Sequence, residues 1–404
     1  MTIAIHQIRL IDGTGAVRDH MTLLVRGTKI VAVGPHNDVS IPKGAIRING
    51  RGLTVIPGLI DCHVHLCLGG EADVVSALES EQPSYTLLKS ARHAQATIEA
   101  GFTTVRDVGS RDHSIFSLKQ AIDSSLLPGP RIVGAGLAIC MIGGHARFIG
   151  QEVEGVDQVR KVVDQQISAG AGVIKVIASG GVLTPGTSPD DAQMTAEELA
   201  AAVDAARQAG KPVAAHAHGA SGMKRAIEAG ARSIEHATLL DEESGSLMKR
   251  HGVYMVPTLS ALATTAACRP GCGIPESALA KAKAMTKRHK ASFKQAYESG
   301  LFIAMGTDAG TPFNFHGENA QELERMVALG MSPMDAILAS TATAARLIGI
   351  QDSVGTLKRG MEADLVIVNG NPLRRIEILR DRDKIVGVMK AGKFVAGPLQ
   401  KRER

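Results

Sequence analysis

The sequence predicts an α/β protein in which a (β/α)8 TIM barrel carries a small β-sandwich domain formed from both chain termini. Two observations predict this architecture. In the middle of the chain, an amphipathic segment, a glycine and a short apolar segment follow one another repeatedly, as in "ATIEAGFTTVRDVG" and "AARQAGKPVAAHAHG". Near both ends, β-rich runs alternate with no helical period between them.

The repeated unit predicts a helix, a cap and a strand in that order. A glycine just past a helix end adopts the left-handed conformation that closes the helix, and a strand directly after it completes an α/β unit. We predict strands near residues 59–65, 103–108, 131–136, 173–178, 212–218, 233–238, 254–259 and 302–307. Eight units predict a closed barrel. The alternative is an open doubly wound sheet, but no glycine fingerprint follows the first strand.

The two chain ends predict a second, smaller domain. Residues 1–57 contain "TIAIHQIRLIDG" and "MTLLVRGTKIVAVG", and the last part of the chain contains "GMEADLVIVNGNP" and "KIVGVMKAGKFVAG". The DG and NG pairs in these stretches are typical turn signals. We therefore predict a β-sandwich domain from residues 1–57 and 356–404, and the (β/α)8 barrel from residues 58–355.

Composition argues against two classes of partner. The chain has 45 basic and 40 acidic residues, and aromatic residues make up only 3% of it, so no basic and aromatic surface for nucleic acid is expected. No apolar run reaches the roughly 18 residues of a membrane span, and no basic segment with an apolar segment behind it opens the chain. We predict a cytoplasmic protein that binds neither nucleic acid nor membrane.

The five cysteines are unevenly spaced and do not form a disulfide framework. The stretch "CRPGC" at 268–272 lacks the second pair that a zinc knuckle requires. We expect a loop with ordinary thiols there.

Residues of types that commonly bind metals lie at the predicted strands, most of them near the carboxyl ends. Barrels of this kind have their active sites at those ends. The residues are His63 and His65 on strand one, Lys175 on strand four, His216 and His218 on strand five, His236 on strand six and Asp308 on strand eight. His63 and His65 are two positions apart, so both side chains leave the same face of the strand. Neutral imidazole and carboxylate are ligands of divalent metals such as zinc. We favour a metal site over a set of hydrogen-bonded core histidines.

Lys175 lies inside the apolar strand "GVIKVIASGG". Such a lysine can extend its amine to solvent or pair with a buried acid. Burial also lowers the pKa of a lysine, and the neutral amine can then attack CO2 to give a carbamate. A carbamate is an anionic oxygen ligand that can bridge two cations. We favour the carbamate because the strands on either side carry the histidines.

These residue types in this order resemble the metal-dependent amidohydrolase superfamily, and the resemblance covers essentially the whole chain. Within the superfamily the chain is similar to the imidazolonepropionase-like branch, which contains Xaa-Pro and Xaa-Arg/Lys dipeptidases, N-acyl-amino-acid carboxypeptidases and ochratoxin amidohydrolases. The stretches that carry the similarity are "PGLIDCHVH", "IKVIASGG", "VAAHAHG", "SIEHAT", "YMVPTLS", "GTDAGTP" and "HGENAQELERMV".

The resemblance implies two divalent metal ions, for which we predict zinc. One would be held by His63, His65, Asp308 and carboxylated Lys175, and the other by Lys175, His216 and His236. The two ions would bridge a hydroxide that attacks the amide carbonyl. Asp308 would take the proton of the water and deliver it to the leaving nitrogen, or would serve as a ligand alone.

Four residues are predicted to contact substrate. His145 in "GGHARFIG" would meet the substrate carbonyl or carboxylate, and Arg147 would pair with an α-carboxylate unless it forms a surface ion pair. Tyr254 resembles the tyrosine that polarises the carbonyl in this family, with core packing as its alternative. His218 would lie around the metal ligands and contact substrate, or be a hydrogen-bonded core residue. The remaining histidines in polar helical stretches are predicted to lie on the surface: His93, His113, His251 and His289.

The leading hypothesis is a binuclear amidohydrolase that cleaves an amide or peptide bond next to a free carboxylate in a small molecule, with ochratoxin A as one candidate substrate. The alternative enzyme is a cyclic-amide hydrolase of the imidazolonepropionase or dihydroorotase type. A third interpretation is a catalytically silent scaffold, but such proteins lose metal ligands and this chain keeps all six. The resemblance also implies a homo-oligomer.

Overall fold

A computed structural model describes residues 1–402, which form seventeen β-strands and twelve α-helices. The strands are β1 Thr2–Ile11, β2 Val17–Arg26, β3 Lys29–Pro35, β4 Ile46–Asn49, β5 Leu53–Pro57, β6 Leu59–Val64, β7 Phe102–Asp107, β8 Arg131–Gly134, β9 Ala138–Met141, β10 Gly150–Val153, β11 Ile174–Ile177, β12 Val213–Ala217, β13 Ser233–His236, β14 Tyr254–Val256, β15 Leu365–Asn369, β16 Ile385–Lys390 and β17 Lys393–Ala396. The helices are α1 Val74–Ser80, α2 Pro83–Glu99, α3 Ser114–Asp123, α4 Val156–Ala169, α5 Ala196–Gln208, α6 Ala220–Ala229, α7 Glu242–His251, α8 Leu259–Ala267, α9 Glu276–Glu298, α10 Gln321–Ala328, α11 Pro333–Ala339 and α12 Ala342–Leu347.

The two chain ends build one mostly antiparallel sheet. Its strands run in the order β17, β16, β15, β5, β1, β2 and β3, and β4 pairs with β1. The junction between the ends is the antiparallel pair β15–β5, in which Val366 stands opposite Ile56. Alternate side chains of these strands form a buried cluster that includes Ile5, Leu23 and Ile367. The predicted pairing of both termini is therefore confirmed, although all eight strands share one hydrogen-bonded sheet.

The middle of the chain forms parallel sheets with helices between the strands, as the repeated α/β unit predicts. One sheet runs β10, β9, β11, β12, β13 and β14, and the other runs β6, β7 and β8. A hydrogen bond from the Gly172 amide to the Gly134 carbonyl, 2.9 Å long, joins the ends of the two sheets. The predicted glycine caps are also present, since Gly170 and Gly230 adopt positive φ angles directly after α4 and α6.

The eighth predicted strand, 302–307, contains one isolated parallel bridge, from Ile303 to Met255, and a second bridge joins Ala309, just after it, to Val64. Near the end of this segment, the carboxylate of Asp61 accepts hydrogen bonds from the amide and the hydroxyl of Thr307. The backbone amide of Thr307 is thereby bound to a side chain and not to a neighbouring strand. The sequence prediction also missed β9 and β10, which follow β8. Strand β9 pairs with β11, and β10 pairs with β9 at the edge of the sheet.

The hairpin of α8 and α9 corrects one prediction about cysteine. The structure joins Cys268 and Cys272 in a disulfide, whereas the sequence predicted ordinary thiols. The tight turn after α8 brings the two Cα atoms to 6.3 Å, which is within the range that a disulfide requires. Among residues 1–402, no helix is both long and apolar enough to span a membrane.

Candidate metal centre

Two groups of metal-binding side chains meet at the carboxyl ends of the parallel strands. One group contains His63, His65 and Asp308, and the other contains His216, His218 and His236. All six side chains are buried, and the potential ligand atoms within each group lie within 4.8 Å of one another. The rings of His63 and His236 are 5.0 Å apart between centroids, so the two groups adjoin.

Strand register explains how distant residues reach one place. Ile177 of β11 stands opposite His216 of β12, and Ala217 of β12 stands opposite His236 of β13. The strand ends are therefore level with one another. Lys175 lies two residues before Ile177 in the same strand, so its long side chain starts deeper and leaves the same face. Lys175 lines one cavity together with the six residues of the two groups.

The first group presents Nε2 atoms to the cavity. His63 Nδ1 is 2.8 Å from Glu235 Oε2, and His65 Nδ1 is 2.8 Å from the Gly109 carbonyl. The opposite nitrogens, His63 Nε2 and His65 Nε2, lie 3.5 and 3.3 Å from Asp308 Oδ1. With Nδ1 protonated toward an acceptor, each ring has its Nε2 lone pair free for a cation.

The second group is oriented in the same way by protein partners. His218 Nδ1 and His236 Nδ1 each lie 2.7 Å from a threonine hydroxyl, those of Thr238 and Thr258. His216 uses its other nitrogen, since Nε2 is 3.2 Å from the Gly180 carbonyl. Each ring therefore has one nitrogen fixed by the protein and one available for a ligand bond.

The electrostatics of the site favour ligation. Burial lowers the pKa of His63 to about 4, with a further contribution from the charge of Lys175, and it lowers the pKa of His216 well below the usual value. These rings are neutral near pH 7, which is the form that binds metal. Burial opposes ionisation of Asp308, but His63 and His65 together hold its pKa below the usual value. Asp308 is therefore an anionic ligand.

Lys175 is the residue that most clearly lacks a partner. Its Nζ atom is buried, and it has no hydrogen-bond partner within residues 1–402. Burial lowers the pKa of Lys175 to about 8, although Glu235 and Asp308 oppose this shift. Burying an amine without a hydrogen-bond partner costs free energy. The position therefore suits a bound group that pairs with the Lys175 amine or replaces its proton. Neutral imidazoles, a carboxylate and a reactive amine form a donor set that suits divalent metal ions.

Sequence reasoning missed two buried charged residues beneath these ligands, Glu235 and Arg106. Burial would raise the pKa of Glu235, but Arg106 and His63 lower it to about 2, so the carboxylate is ionised. The only signal in the sequence is the position of Glu235 directly before His236 in "SIEH".

The cavity beside the ligands has an apolar wall and further polar side chains, among them that of His145. The ring of His145 lies 4.6 Å from that of His216, and His145 Nδ1 is 2.9 Å from Thr184 Oγ1. His145 therefore lines the same cavity as the ligand groups. Arg147 is exposed and does not line this cavity in the described structure, because the 3₁₀ turn it begins points it outward. The apolar wall is formed by side chains that include Leu68, Val108, Phe148, Ile149, Val182 and Leu262.

Tyr254 does not reach the site, which corrects its predicted catalytic role. It stands opposite Ser233, whereas His236 lies three residues further along β13, a distance of about 10 Å in a strand. The Tyr254 ring packs on Phe302, and the Arg232 guanidinium lies 4.8 Å from its centroid. Core packing, the alternative for this residue, is what the structure supports.

The surface prediction is wrong for His289, whose ring is buried and lines the cavity. Its Nε2 lies 3.2 Å from the His236 carbonyl. A signal existed in the sequence, because Met285, His289 and Ser292 follow the helical spacing of the buried face of α9. His93 is half-buried and bonds the Leu66 carbonyl, while His113 and His251 are exposed as predicted.

Comparison with known proteins decides the family. The model of the Amidohydrolase family matches residues 54–395. The chain belongs to the amidohydrolase family. Family members are metal-dependent, and the histidine and aspartate groups described above are present in this chain. As an amidohydrolase, the protein is an enzyme that hydrolyses C–N bonds.

Three relatives illustrate the range of the family. Ochratoxinase from Aspergillus niger is 32% identical over 96% of this chain and 85% of its own length. A crystal structure of a Xaa-Pro dipeptidase with bound methionine in the active site is 37% identical, with a TM-score of 0.91 over 98% of this chain and 99% of that one. Imidazolonepropionase from Rubrobacter xylanophilus is 24% identical over 92% of this chain and 90% of its length.

The position of Tyr254 gives a first prediction. We expect Tyr254→Phe to keep kcat/KM within about threefold of the wild type, because the hydroxyl is remote from the ligand groups. His145→Ala, a change inside the cavity, should lower kcat/KM at least about tenfold. Steady-state kinetics on an amide that the wild type hydrolyses measures both. A hundredfold loss of kcat in Tyr254→Phe would contradict the placement of this residue.

Proposed function

We propose that this amidohydrolase is a binuclear enzyme that cleaves an amide or peptide bond next to a free carboxylate, as a dipeptidase or an N-acyl-amino-acid carboxypeptidase. The observation that carries the proposal is the single cavity in which the two ligand groups and the unpartnered Lys175 amine meet. Two adjoining ligand sets with a potential bridging residue suit two cations better than one.

The proposed ligand sets take all three residues of the first group and two of the second, and add Lys175 to both. One ion is assigned to His63, His65, Asp308 and a carbamate on Lys175, and the other to that carbamate, His216 and His236. We propose zinc because the donors are mainly imidazoles. His218 belongs to the second histidine group and faces the same cavity, which supports its proposed contact with substrate.

The proposal includes a closed (β/α)8 barrel at residues 58–355 and a terminal domain from residues 1–57 and 356–404. Closure is supported by backbone hydrogen bonds on both sides of the eighth segment. The Met255 amide donates to the Phe302 carbonyl, and the Asp308 amide donates to the His63 carbonyl. Closure would set the candidate site at the carboxyl end of the barrel.

In the proposed reaction, bound divalent ions supply Lewis acidity and lower the pKa of a water molecule toward neutrality. Asp308, ionised in this site, accepts the proton of that water at a carboxylate oxygen and returns it to the leaving nitrogen. Burial lowers the pKa of His145 to about 3, so its ring is neutral. If Nδ1 accepts from the Thr184 hydroxyl, the Nε2–H of His145 can donate to a substrate oxygen.

The apolar wall of the cavity supports an apolar acyl or side-chain group in the substrate. This agrees with the names of the relatives, an ochratoxinase and a Xaa-Pro dipeptidase. Ochratoxin A hydrolysis therefore belongs to the proposed range. A cyclic amide is the alternative substrate, but imidazolonepropionase is less similar to this chain, at 24% identity, than the other two relatives.

Product release from a substrate panel tests the proposed reaction. The zinc-reconstituted protein is incubated with Xaa-Pro, Xaa-Arg and Xaa-Phe dipeptides, N-acyl amino acids including ochratoxin A, and cyclic amides. We expect cleavage of a linear amide beside a free carboxylate, with apolar acyl groups turned over fastest, as measured by chromatography with mass detection. Turnover of cyclic amides alone would contradict the proposal.

The carbamate gives a separate prediction. Because only the neutral amine attacks CO2, and the pKa of Lys175 is about 8, the rate of metal uptake at a fixed concentration of dissolved CO2 should rise as pH increases through about 8. Lys175→Ala should hold fewer than two metals and lose at least about a thousandfold in kcat/KM. The exposed Lys161→Ala serves as the matched control and should behave as wild type. Two tightly bound metals and full turnover in Lys175→Ala would exclude the carbamate.

A further inference from the structure

A buried ion pair lies directly beneath the candidate metal centre. Arg106 of β7 and Glu235 of β13 are 2% and 0% exposed, and Arg106 Nη2 is 2.8 Å from Glu235 Oε1. Neither side chain belongs to the two ligand groups. Burying two charges costs free energy that well-packed apolar side chains would not, so stability alone is a weak reason for the pair.

The hydrogen bonds of this pair occupy Glu235 Oε1 and leave Glu235 Oε2 to accept from the His63 ring. Arg106 also donates from Nε to the Cys62 carbonyl, at 2.6 Å, and from Nη1 to Ser233 Oγ, at 3.0 Å. The Ser233 hydroxyl donates to Glu235 Oε1, the oxygen that Arg106 already binds. The other oxygen, Oε2, faces His63 Nδ1 at 2.8 Å.

The backbone of β13 makes this arrangement possible. Successive side chains of a regular strand leave opposite faces, yet Glu235 contacts His63 while His236 lines the cavity. His236 has a φ angle of 73° and Ala237 one of 46°, so the strand leaves the regular conformation here. Non-glycine residues adopt such angles at a cost, so the surrounding structure must hold these two residues in place.

We propose that Glu235 is a positioning residue that fixes the ring proton of His63 on Nδ1, and that Arg106 orients the Glu235 carboxylate for this task. An ionised carboxylate can only accept, so the proton of the neutral ring must lie on Nδ1 and the Nε2 lone pair points toward Asp308. The inference rests on the proposed metal-dependent function, since it assigns this lone pair to a metal ion.

Glu235→Gln reverses the pattern with almost no change in shape. Arg106 and Ser233 both donate, so they retain the carbonyl oxygen of the new carboxamide, and its NH2 group faces His63 Nδ1. That nitrogen must then accept, and the ring proton moves to Nε2, where it blocks ligation. Mutations of such supporting partners typically weaken metal affinity by about 10–100-fold.

Asp364→Asn is the matched control. Asp364 is also a buried carboxylate paired with an arginine, since Arg131 Nη1 lies 2.8 Å from it, but it accepts its other bond from the Ala391 amide in the terminal sheet region. A loss caused by breaking any buried arginine–carboxylate pair should appear in both variants. A loss caused by the His63 ring proton should appear only in Glu235→Gln.

The test is the ring-nitrogen spectrum of metal-free protein labelled with ¹⁵N-histidine, with the His63 signals assigned by their loss in His63→Gln. We expect Nδ1–H in the wild type and in Asp364→Asn, and Nε2–H in Glu235→Gln. Zinc titration should show about 10–100-fold weaker binding at one site in Glu235→Gln only. An Nε2–H ring in the wild type, a result that needs no folded variant, would overturn the proposal, and so would unchanged zinc affinity in Glu235→Gln.

The position of the His63 ring proton and the proposed amide hydrolysis are tested by different measurements. The ring-proton measurement is made without metal and without substrate. Failure of the proposed function would appear as a wild type that holds fewer than two metals or hydrolyses no amide, and the position of the His63 proton would still be read directly.

Discussion

The burial of the Lys175 amine is the constraint on which the site depends. A lysine inside an apolar strand is expensive unless its charge is paired or removed, and Nζ has no hydrogen-bond partner among the described residues. Imidazoles and carboxylates surround this amine, and both are ligands of divalent metal ions. The burial that lowers the pKa of Lys175 also lowers the pKa of the other ligand-group histidines except His65. For His65, the neighbouring Asp308 carboxylate outweighs burial and raises the pKa.

Parallel strand register turns this local chemistry into a site. The strands that carry Lys175, His216 and His236 are neighbours with level ends, so side chains that are 61 residues apart along the chain share one cavity. A helix and a glycine cap between successive strands keep that register. The α8–α9 hairpin then covers the apolar side, with Leu262 and His289 lining the cavity. The ligands therefore lie on strand ends, and the adaptable wall lies on loops and helices.

Most of the metal-facing residues could be predicted from the sequence because they lie within an apolar segment or directly after one, and such segments predict the strands of the barrel. The predicted role of Tyr254 does not agree with its position, because Tyr254 lies at the start of its strand, opposite Ser233. His236 is three residues further along the neighbouring strand, which is about 10 Å. Arg147 lies in a 3₁₀ turn and His289 in helix α9. In such elements, the direction of a side chain relative to the cavity depends on how the element packs. Glu235 was hidden because strand alternation would turn it away from the face of His236, and only the positive φ of His236 breaks that rule. The disulfide depends on the geometry of the loop after α8, which no local sequence pattern encodes. The homo-oligomer stays a prediction.

The most direct test of the central claim is a crystal structure of the zinc-reconstituted protein, with anomalous differences collected on both sides of the zinc absorption edge. The account predicts two zinc peaks per chain about 3.5–4 Å apart, with continuous density for a carbamate on Lys175 Nζ between them. A single peak held by His216, His218 and His236, with Lys175 unmodified and uncoordinated, would contradict it.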